Sequence, residues 1–451
     1  MIGEADHDIL STFPTVTMAP RLPLEVLEQI IDDVAADPEY DDSLYISSGS
    51  IKACALVCHS FLPLCRKYIF AYVVLNEPGG CFKFSSPTSD DLDRLLSDSP
   101  HLAVYIRKLD YQVRVVEREF DPKRSPWLSS MFKKLVKLQK LSITYFPTAG
   151  REKLNWMALS ERMVLLPLLH LPTLTSIGLE RIGNFPLADL AGCVNLKKLE
   201  VHSLECSNDA GKFLEVLPPT PAMLEQLEIY LRSNKIVQRL CDARRPDGKP
   251  IIDFTSLRKI KAEVVRLDSI MELFGMCRNL YKINLISMSL PHYFFIHLIL
   301  LLVSPAVYPH RSESTSSLKG LFTMLKPSLP TLVDIDIECD IYNDDNETDD
   351  TPLAGLCHEL EKMAGQNVVE TIKLLILVYP GCDCTRWGEL DDVLMGSPEG
   401  WPALRKVSLF FGDVGGGLNK ALRELPMPKL VESKQVQFDF GITEDIMHKI
   451  Y

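Results

Sequence analysis

Thiols and one imidazole near the N-terminus are the first candidates for chemistry. Four such side chains fall within twelve positions: Cys54, Cys58, His59 and Cys65. These residue types bind zinc, but their spacing differs from that of a zinc finger, and adjacent side chains such as Cys58 and His59 point apart on a helix. The CxC pair at 382–384 lacks a second pair of ligands. We therefore predict ordinary thiols and no metal site.

Two further stretches resemble ligand-binding loops. Residues 340–350 hold six carboxylates, but they lack the alternating ligand positions and central glycine of a calcium loop, so we expect a solvated acidic loop over 340–352. Residues 412–417 are rich in glycine, but they lack the Lys-Ser/Thr ending of a phosphate loop. No GxSxG or HExxH motif occurs. We therefore predict no cofactor and no catalytic residue, and we expect that the protein is not an enzyme.

Composition excludes other classes of function. The chain has 451 residues, with 48 Lys and Arg against 60 Asp and Glu, and its net charge of −12 argues against nucleic-acid binding. Twelve cysteines are too few for a disulfide-stapled secreted scaffold. Residues 1–20 contain no Lys or Arg, which argues against a presequence. We expect a cytoplasmic or nuclear protein.

The longest apolar run covers residues 290–303 and contains two histidines. A transmembrane helix needs about 20 apolar residues, so we predict a buried helix there and no membrane function.

Residues 21–75 predict a small module of about three helices after a flexible tail over residues 1–20. Pro23 opens the first helix, whose apolar residues form one stripe at positions 24, 27, 31 and 34, with Val26 and Ile30 on an adjacent stripe. Ser50 is predicted to cap a second helix. Phe61 and Pro63 are predicted to mark a turn before a third helix over 64–70 and a strand over 72–75.

Residues 76–451 contain a recurring pattern of three apolar residues, in which the second lies three positions and the third five positions after the first. Successive copies in the middle of the chain begin 22, 28, 33 and 23 residues apart. Leucine-rich repeats have similar spacing, about 20 to 29 residues. Helix-like segments separate the strands, so we predict an α/β fold, a parallel sheet with outer helices in an irregular leucine-rich-repeat-like solenoid. The ten copies begin at Ile106, Leu138, Leu174, Leu196, Leu224, Leu257, Leu280, Leu332, Val369 and Leu404.

The N-terminal module resembles an F-box. The resemblance is carried by Leu-Pro-Leu-Glu-Val-Leu at 22–27, Ile30-Ile31, Ala-Leu-Val-Cys-His-Ser-Phe at 55–61 and Arg66. Residues 99–109 are also similar to the large F-box families of mushroom-forming fungi. F-box proteins are non-catalytic substrate receptors of SCF-type cullin-RING ubiquitin ligases, and the F-box binds the adaptor subunit. The resemblance implies adaptor contacts at Leu22, Pro23, Glu25, Val26, Ile30, Leu56, Val57 and Phe61.

A second interpretation of this module remains open. Solenoids need terminal caps, and the three helices could simply cover the first repeat. The protein would then be a leucine-rich-repeat interaction scaffold without a ligase. The two interpretations differ over the second apolar stripe, because a plain cap would bury Val26 and Ile30.

The open face of the predicted sheet is the candidate surface for target proteins. Among the residues that alternate with the buried positions, six are acidic and two are lysines, so we predict a net-negative face that binds a basic segment of a target. The alternative is that these residues are only solvated and that loops supply specificity. The candidate target contacts are Glu200, Glu228, Tyr230, Glu263, Asp336, Glu338 and Phe410.

Overall fold

Contacts between residues divide the chain into two units, Met1–Tyr72 and Val73–Tyr451. The computed structural model describes the following residues: 22–35, 48–76, 88–113, 124–147, 153–159, 161–207, 217–230, 234–264, 267, 270–287, 318, 320–341, 352–378, 387–397, 399–413 and 427–443.

The described residues of the first unit form three helices: α1 (Leu24–Ala35), α2 (Ser48–Val57) and α3 (Phe61–Ile69). They share a core of Ile31, Ile51, Leu64 and Cys65, each at most 9% exposed. The three predicted helices are therefore confirmed. Two details were wrong, because Ser50 lies inside α2 rather than capping it, and Phe61 begins α3.

Lys67 and Tyr68 connect α3 to α1 by hydrogen bonds to the Asp32 carboxylate, at 2.8 and 2.5 Å. The hydrogen bond from Lys67 is the main cause that lowers the pKa of Asp32 below its usual value.

A twelve-stranded sheet forms the frame of the second unit. Its strands are β1 (Tyr72–Asn76), β2 (Lys108–Val113), β3 (Lys140–Tyr145), β4 (Ser176–Glu180), β5 (Lys198–His202), β6 (Gln226–Tyr230), β7 (Lys259–Val264), β8 (Lys282–Ser287), β9 (Asp334–Ile341), β10 (Thr371–Val378), β11 (Lys406–Asp413) and β12 (Gln437–Thr443). The spatial order follows the chain order, and every pair from β2 to β12 is parallel. The sheet is open, because β1 and β12 lie at opposite edges.

Helices occupy the connections between many strands, as parallel pairing requires. They are α4 (Ser89–Asp98), α5 (Arg124–Lys133), α6 (Arg162–Leu169), α7 (Asn234–Asp242), α8 (Met271–Met276), α9 (Leu321–Leu325), α10 (Pro352–Met363), α11 (Trp387–Met395) and α12 (Pro428–Glu432). Among the described residues, 3₁₀ helices cover Pro100–Tyr105, Trp156–Ala158, Leu187–Leu190 and Lys326–Ser328. Two-residue strands pair Leu154–Asn155 with Ile182–Gly183 and Ala222–Met223 with Ile252–Asp253.

The apolar residues of the repeat pattern lie on the buried side of this sheet. In all ten copies the three apolar positions are at most 6% exposed. The second position of each copy also aligns with its neighbours across the sheet, as Leu199 aligns with Ile177 and Leu227. The predicted α/β architecture with an open parallel sheet is therefore confirmed.

The last strand, β12, escaped the sequence pattern. Phe438 pairs in register with Val407 and Phe440 with Leu409, so both continue the repeat. The first position of the template, three residues before Phe438, is the polar Gln435.

Several predicted segments lie outside the described residues. They are the tail at 1–20, the apolar run at 290–303, residues 342–351 of the acidic loop, the CxC pair at 382–384 and residues 414–417 of the glycine-rich stretch. No helix in the described part of the chain is both long and apolar enough to cross a membrane.

Candidate functional site

Apolar side chains are exposed on the first two helices of the N-terminal unit. Leu56 and Val57 at the end of α2 are 87% and 68% exposed, whereas large apolar residues are normally buried. We use the name docking surface for the set Leu22, Leu24, Val26, Ile30, Leu56 and Val57, all at least 40% exposed.

Helical geometry explains how one short helix presents apolar residues on two sides. On α1, Leu27 and Ile31 are four residues apart and pack into the core. Val26 and Ile30 are also four residues apart, on a neighbouring stripe that the core does not cover. Pro23, whose carbonyl accepts hydrogen bonds from the Val26 and Leu27 amides, starts the helix.

Two of the other predicted adaptor contacts have different environments. Glu25 is exposed at the start of α1, where a carboxylate favours the helix dipole. Phe61 is half-buried and packs against the core of the three helices. We therefore assign Phe61 to the core and leave it out of the docking surface.

The thiol cluster does not assemble into a metal site. Cys65 is buried and Cys54 packs beside the core, whereas Cys58 and His59 are exposed. Burial raises the pKa of the Cys65 thiol above its usual value, which disfavours the thiolate that metals require. The described residues contain no group of three or more His, Cys, Asp or Glu placed to hold a metal ion.

The open face of the sheet carries a row of lysines that sequence analysis missed. These residues occupy the first position of six strands and lie in register across the sheet. They alternate with the buried positions of their strands, so they point to the same face as the acidic residues. The row consists of Lys108, Lys140, Lys198, Lys259, Lys282 and Lys406.

Lysines of the sheet neutralise three of the acids that were predicted to bind targets. Lys198 Nζ lies 2.5 Å from Glu200 and 2.7 Å from Glu228, and Lys140 Nζ lies 3.2 Å from Glu200. Lys373 likewise pairs with Asp336 at 3.5 Å. These carboxylates already have cation partners within the sheet.

The ion pair between Lys140 and Glu200 crosses an intervening strand. Lys140 is on β3 and Glu200 is on β5, so β4 lies beneath the pair. Gly178 occupies the position on β4 next to Glu200, and a Cβ atom there would lie 3.5 Å from the Glu200 carboxylate and 3.0 Å from Ser142 Oγ. The missing side chain leaves room for the pair to span the strand.

An aromatic and charged cluster lies near the carboxyl ends of β5 to β7. The His202 and Tyr230 rings are stacked at 4.1 Å, and Lys261 Nζ lies 5.2 Å from the centre of the Tyr230 ring. The Tyr230 hydroxyl donates a hydrogen bond to Glu228 at 3.0 Å. Burial lowers the pKa of His202 despite the nearby Glu200 and Glu228. Tyr230 is therefore held in place by several contacts.

The remaining predicted target contacts differ in accessibility. Glu263 is 4% exposed and cannot form a surface contact without a rearrangement, so its assignment to the target surface was wrong. Glu338 is half-buried. Phe410 is half-buried and covers Gly441 on β12, where a Cβ would lie 2.9 Å from its ring.

The lysine row offsets most of the predicted net-negative charge of this face. Across the three outward positions of β2 to β12, nine carboxylates face eight lysines. The carboxylates are Asp110, Glu180, Glu200, Glu228, Glu263, Asp334, Asp336, Glu338 and Asp439. The lysines are the six of the row together with Lys261 and Lys373. The electrostatic basis for a basic target is therefore weak.

Comparison with known proteins adds no family assignment. No protein-family model matches the chain, and no curated protein matches it.

Proposed function

We propose that this protein is a non-catalytic substrate receptor of an SCF-type cullin-RING ubiquitin ligase, acting in the cytoplasm or the nucleus. In this proposal the three N-terminal helices bind the adaptor subunit and the parallel sheet binds target proteins. The proposal rests on the F-box-like residues at 22–31 and 55–61 and on their arrangement in three helices.

One observation carries the proposal. Six apolar side chains of the docking surface are at least 40% exposed, although the same helices bury Ile31 and Ile51 to 2% or less. Leaving such side chains in water forgoes about 1.5 to 3 kcal/mol for each one that could be buried. Apolar surface exposed in this way is typical of a binding site for another protein.

The experiment that tests the proposal is co-purification of the full chain with the adaptor subunit of a cullin-RING ligase. The variant is Val26→Asp with Ile30→Asp, which places two carboxylates on the exposed stripe and leaves Ile31 in the core. Interface residues of this kind contribute about 1 to 2 kcal/mol or more each, so we expect at least a tenfold weaker complex.

The matched control changes exposed apolar residues in the second unit. Val136 and Met163 are 52% and 71% exposed, and Val136→Asp with Met163→Asp introduces the same charge. We expect this variant to bind the adaptor as the wild type does. If a folded wild-type chain forms no complex, the module is better interpreted as a solenoid cap and the protein as an interaction scaffold.

A further inference from the structure

An open groove of about 490 Å³ lies where β7, β8 and β9 begin. Its lining combines two cations, an aromatic ring and small polar groups: Ser256, Arg258, Lys259, Asn279, Tyr281 and Thr331. It lies at the starts of the strands, away from the cluster around Tyr230 at their carboxyl ends.

Hydrogen bonds to the backbone fix the frame of the groove. The Arg258 carbonyl accepts hydrogen bonds from the Tyr281 and Lys282 amides at 2.8 and 3.0 Å. Asn279 Nδ2 donates to the Thr255 carbonyl at 3.1 Å, and Thr331 Oγ1 donates to the Leu280 carbonyl at 3.0 Å. The strands that carry the cations are therefore held in place before any ligand binds.

The cationic side chains of the groove have no carboxylate partner in the part of the chain that the structure describes. Arg258 and Lys259 are exposed and form no ion pair with any residue in the described ranges. The carboxylates at the starts of β6 and β9 already have other cation partners. Glu225 pairs with Lys197 at 3.0 Å, and Asp334 pairs with Lys282 at 3.6 Å.

Basic pairs at equivalent positions on other strands differ in their partners. Such pairs also begin β2 (Arg107-Lys108), β5 (Lys197-Lys198) and β11 (Arg405-Lys406). All four side chains on β5 and β11 form ion pairs. Arg107 and Lys108, like the groove pair, form no ion pair with the described residues, and Arg107 instead donates a hydrogen bond to the Lys137 carbonyl. The pair Arg258-Lys259 is left positive in a chain whose net charge is −12. Such a pair attracts anionic groups, and arginine binds carboxylate or phosphate through two parallel hydrogen bonds.

We propose that this groove binds an acidic segment of a partner protein. Arg258 and Lys259 contact carboxylate or phosphate groups of the segment, and the Tyr281 ring, 46% exposed, packs against its backbone or side chains. The site does not depend on the proposed ligase function, but if that function holds, the segment belongs to the target. The target would then be acidic at this contact, opposite to the prediction from sequence.

Nucleic acid fits the groove less well. Proteins that bind a duplex neutralise many phosphates along a stripe, about 6 to 10 in well-studied cases. Here two unpaired cations line one short groove, and neighbouring strands carry neutralised pairs. This arrangement suits a few anionic groups on a peptide.

The test is fluorescence anisotropy of the full chain with labelled ten-residue peptides. One peptide carries Glu and Asp, a second carries phosphoserine, and a third has Lys in place of the acids. We expect the first or the second to bind, with an affinity that falls as NaCl rises from about 50 to 300 mM, because salt screens exposed charges. The third should not bind. The stronger of the two anionic peptides identifies the preferred group, carboxylate or phosphate.

The variant Arg258→Glu with Lys259→Glu should weaken binding at least tenfold. The matched control is Arg107→Glu with Lys108→Glu, which alters the same dipeptide at the start of β2, five strand spacings or about 24 Å away. The control should change the affinity less than twofold. A further variant, Tyr281→Ala, should weaken binding without changing the net charge.

Three results would overturn the proposal: equal losses in the groove variant and the control, no binding of either anionic peptide at low salt, or tighter binding of a single-stranded oligonucleotide of equal charge. Co-purification of the groove variant with the adaptor subunit separates the two proposals, because no residue of the groove belongs to the docking surface.

Discussion

Removing Lys198 should destabilise the sheet through repulsion between two carboxylates. Its ammonium group lies 2.5 Å from Glu200 and 2.7 Å from Glu228, so the two carboxylate oxygens are no more than about 5 Å apart. Both acidic side chains are only about 15% exposed. The variant Lys198→Met keeps most of the side-chain volume but removes the charge that the two acids share.

The magnitude follows from Coulomb's law. Two unit charges about 5 Å apart repel by about 3 kcal/mol at an effective dielectric constant of about 20. Lys140 still pairs with Glu200 at 3.2 Å and reduces this repulsion. We therefore expect Lys198→Met to lower the free energy of unfolding by about 2 kcal/mol at pH 7.

The cost should depend on pH in a defined direction. In the wild type, burial opposes ionisation of Glu228, but hydrogen bonding and charge attraction from Lys198 outweigh it and lower the pKa. Stability from this carboxylate is thus present above the pKa of glutamate in the unfolded chain and is lost as the pH falls through the lower, folded pKa. In Lys198→Met the folded pKa of Glu228 should instead lie above its usual value. The difference in stability between the two proteins should therefore shrink as the pH falls through the folded pKa of Glu228.

Guanidinium chloride unfolding of the full chain at pH 7 and pH 3 measures this effect. The matched control is Lys197→Met, because Lys197 is the adjacent residue but forms an exposed pair with Glu225, with side chains 58% and 45% exposed. Exposed pairs contribute at most about 1 kcal/mol. The reasoning is refuted if Lys198→Met costs no more than the control, or if its cost is the same at both pH values.

Three further predictions concern single buried groups. Asp189→Ala should cost about 3 to 5 kcal/mol in urea unfolding, because the Trp156 indole (2.7 Å) and the Arg162 guanidinium (2.9 Å) lose their buried acceptor; a cost below about 1 kcal/mol would contradict this. Gly178→Val should lower the melting temperature more than Gly178→Ala, because the first added carbon already lies 3.0 Å from a side-chain oxygen on β3; equal melting temperatures would count against it. Burial opposes ionisation of Glu359, but hydrogen bonds outweigh this effect and lower its pKa. The variant Glu359→Gln should therefore be less stable than the wild type by about 1 to 2 kcal/mol in denaturant titrations at pH 7. The difference should be smaller near pH 3, and a difference that does not change with pH would contradict this prediction.

The buried half of the sheet was predictable because its signal repeats along the sequence. Each strand places two alternating side chains in the core. A third apolar residue lies three positions before the first of these two. This local pattern therefore identifies the strands from the sequence. The copy at Leu257 illustrates this, since Ala262 in its third position is still fully buried. β12 was missed because Gln435 interrupts the pattern before Phe438.

The exposed face was harder to predict because neighbouring strands determine what each side chain contacts. Glu200 and Glu228 are acidic in the sequence, but their charge is offset by Lys198, which only strand register brings next to both. Glu263 is outward by alternation and nevertheless buried. A search for basic residues two positions before each outward acid would have found Lys108 and Lys198 but not the other four lysines of the row.

In the N-terminal module, too, local spacing predicted some positions and contacts between elements determined others. Spacing alone separated the core residue Ile31 from the exposed Ile30, because successive positions on a helix point in different directions. Phe61 could not be assigned in this way. It begins α3, and its burial depends on how α2 and α3 pack together, which no local pattern reports.

The most direct test of the account is isothermal titration of the full chain with purified adaptor subunit, for the wild type and for Leu56→Asp. Leu56 is 87% exposed, so this change should leave the fold intact, as circular dichroism can verify. We predict a one-to-one complex for the wild type and at least tenfold weaker binding for the variant. An absence of heat from a folded wild-type chain, or equal affinity of the two proteins, would contradict the claim that the docking surface binds the adaptor.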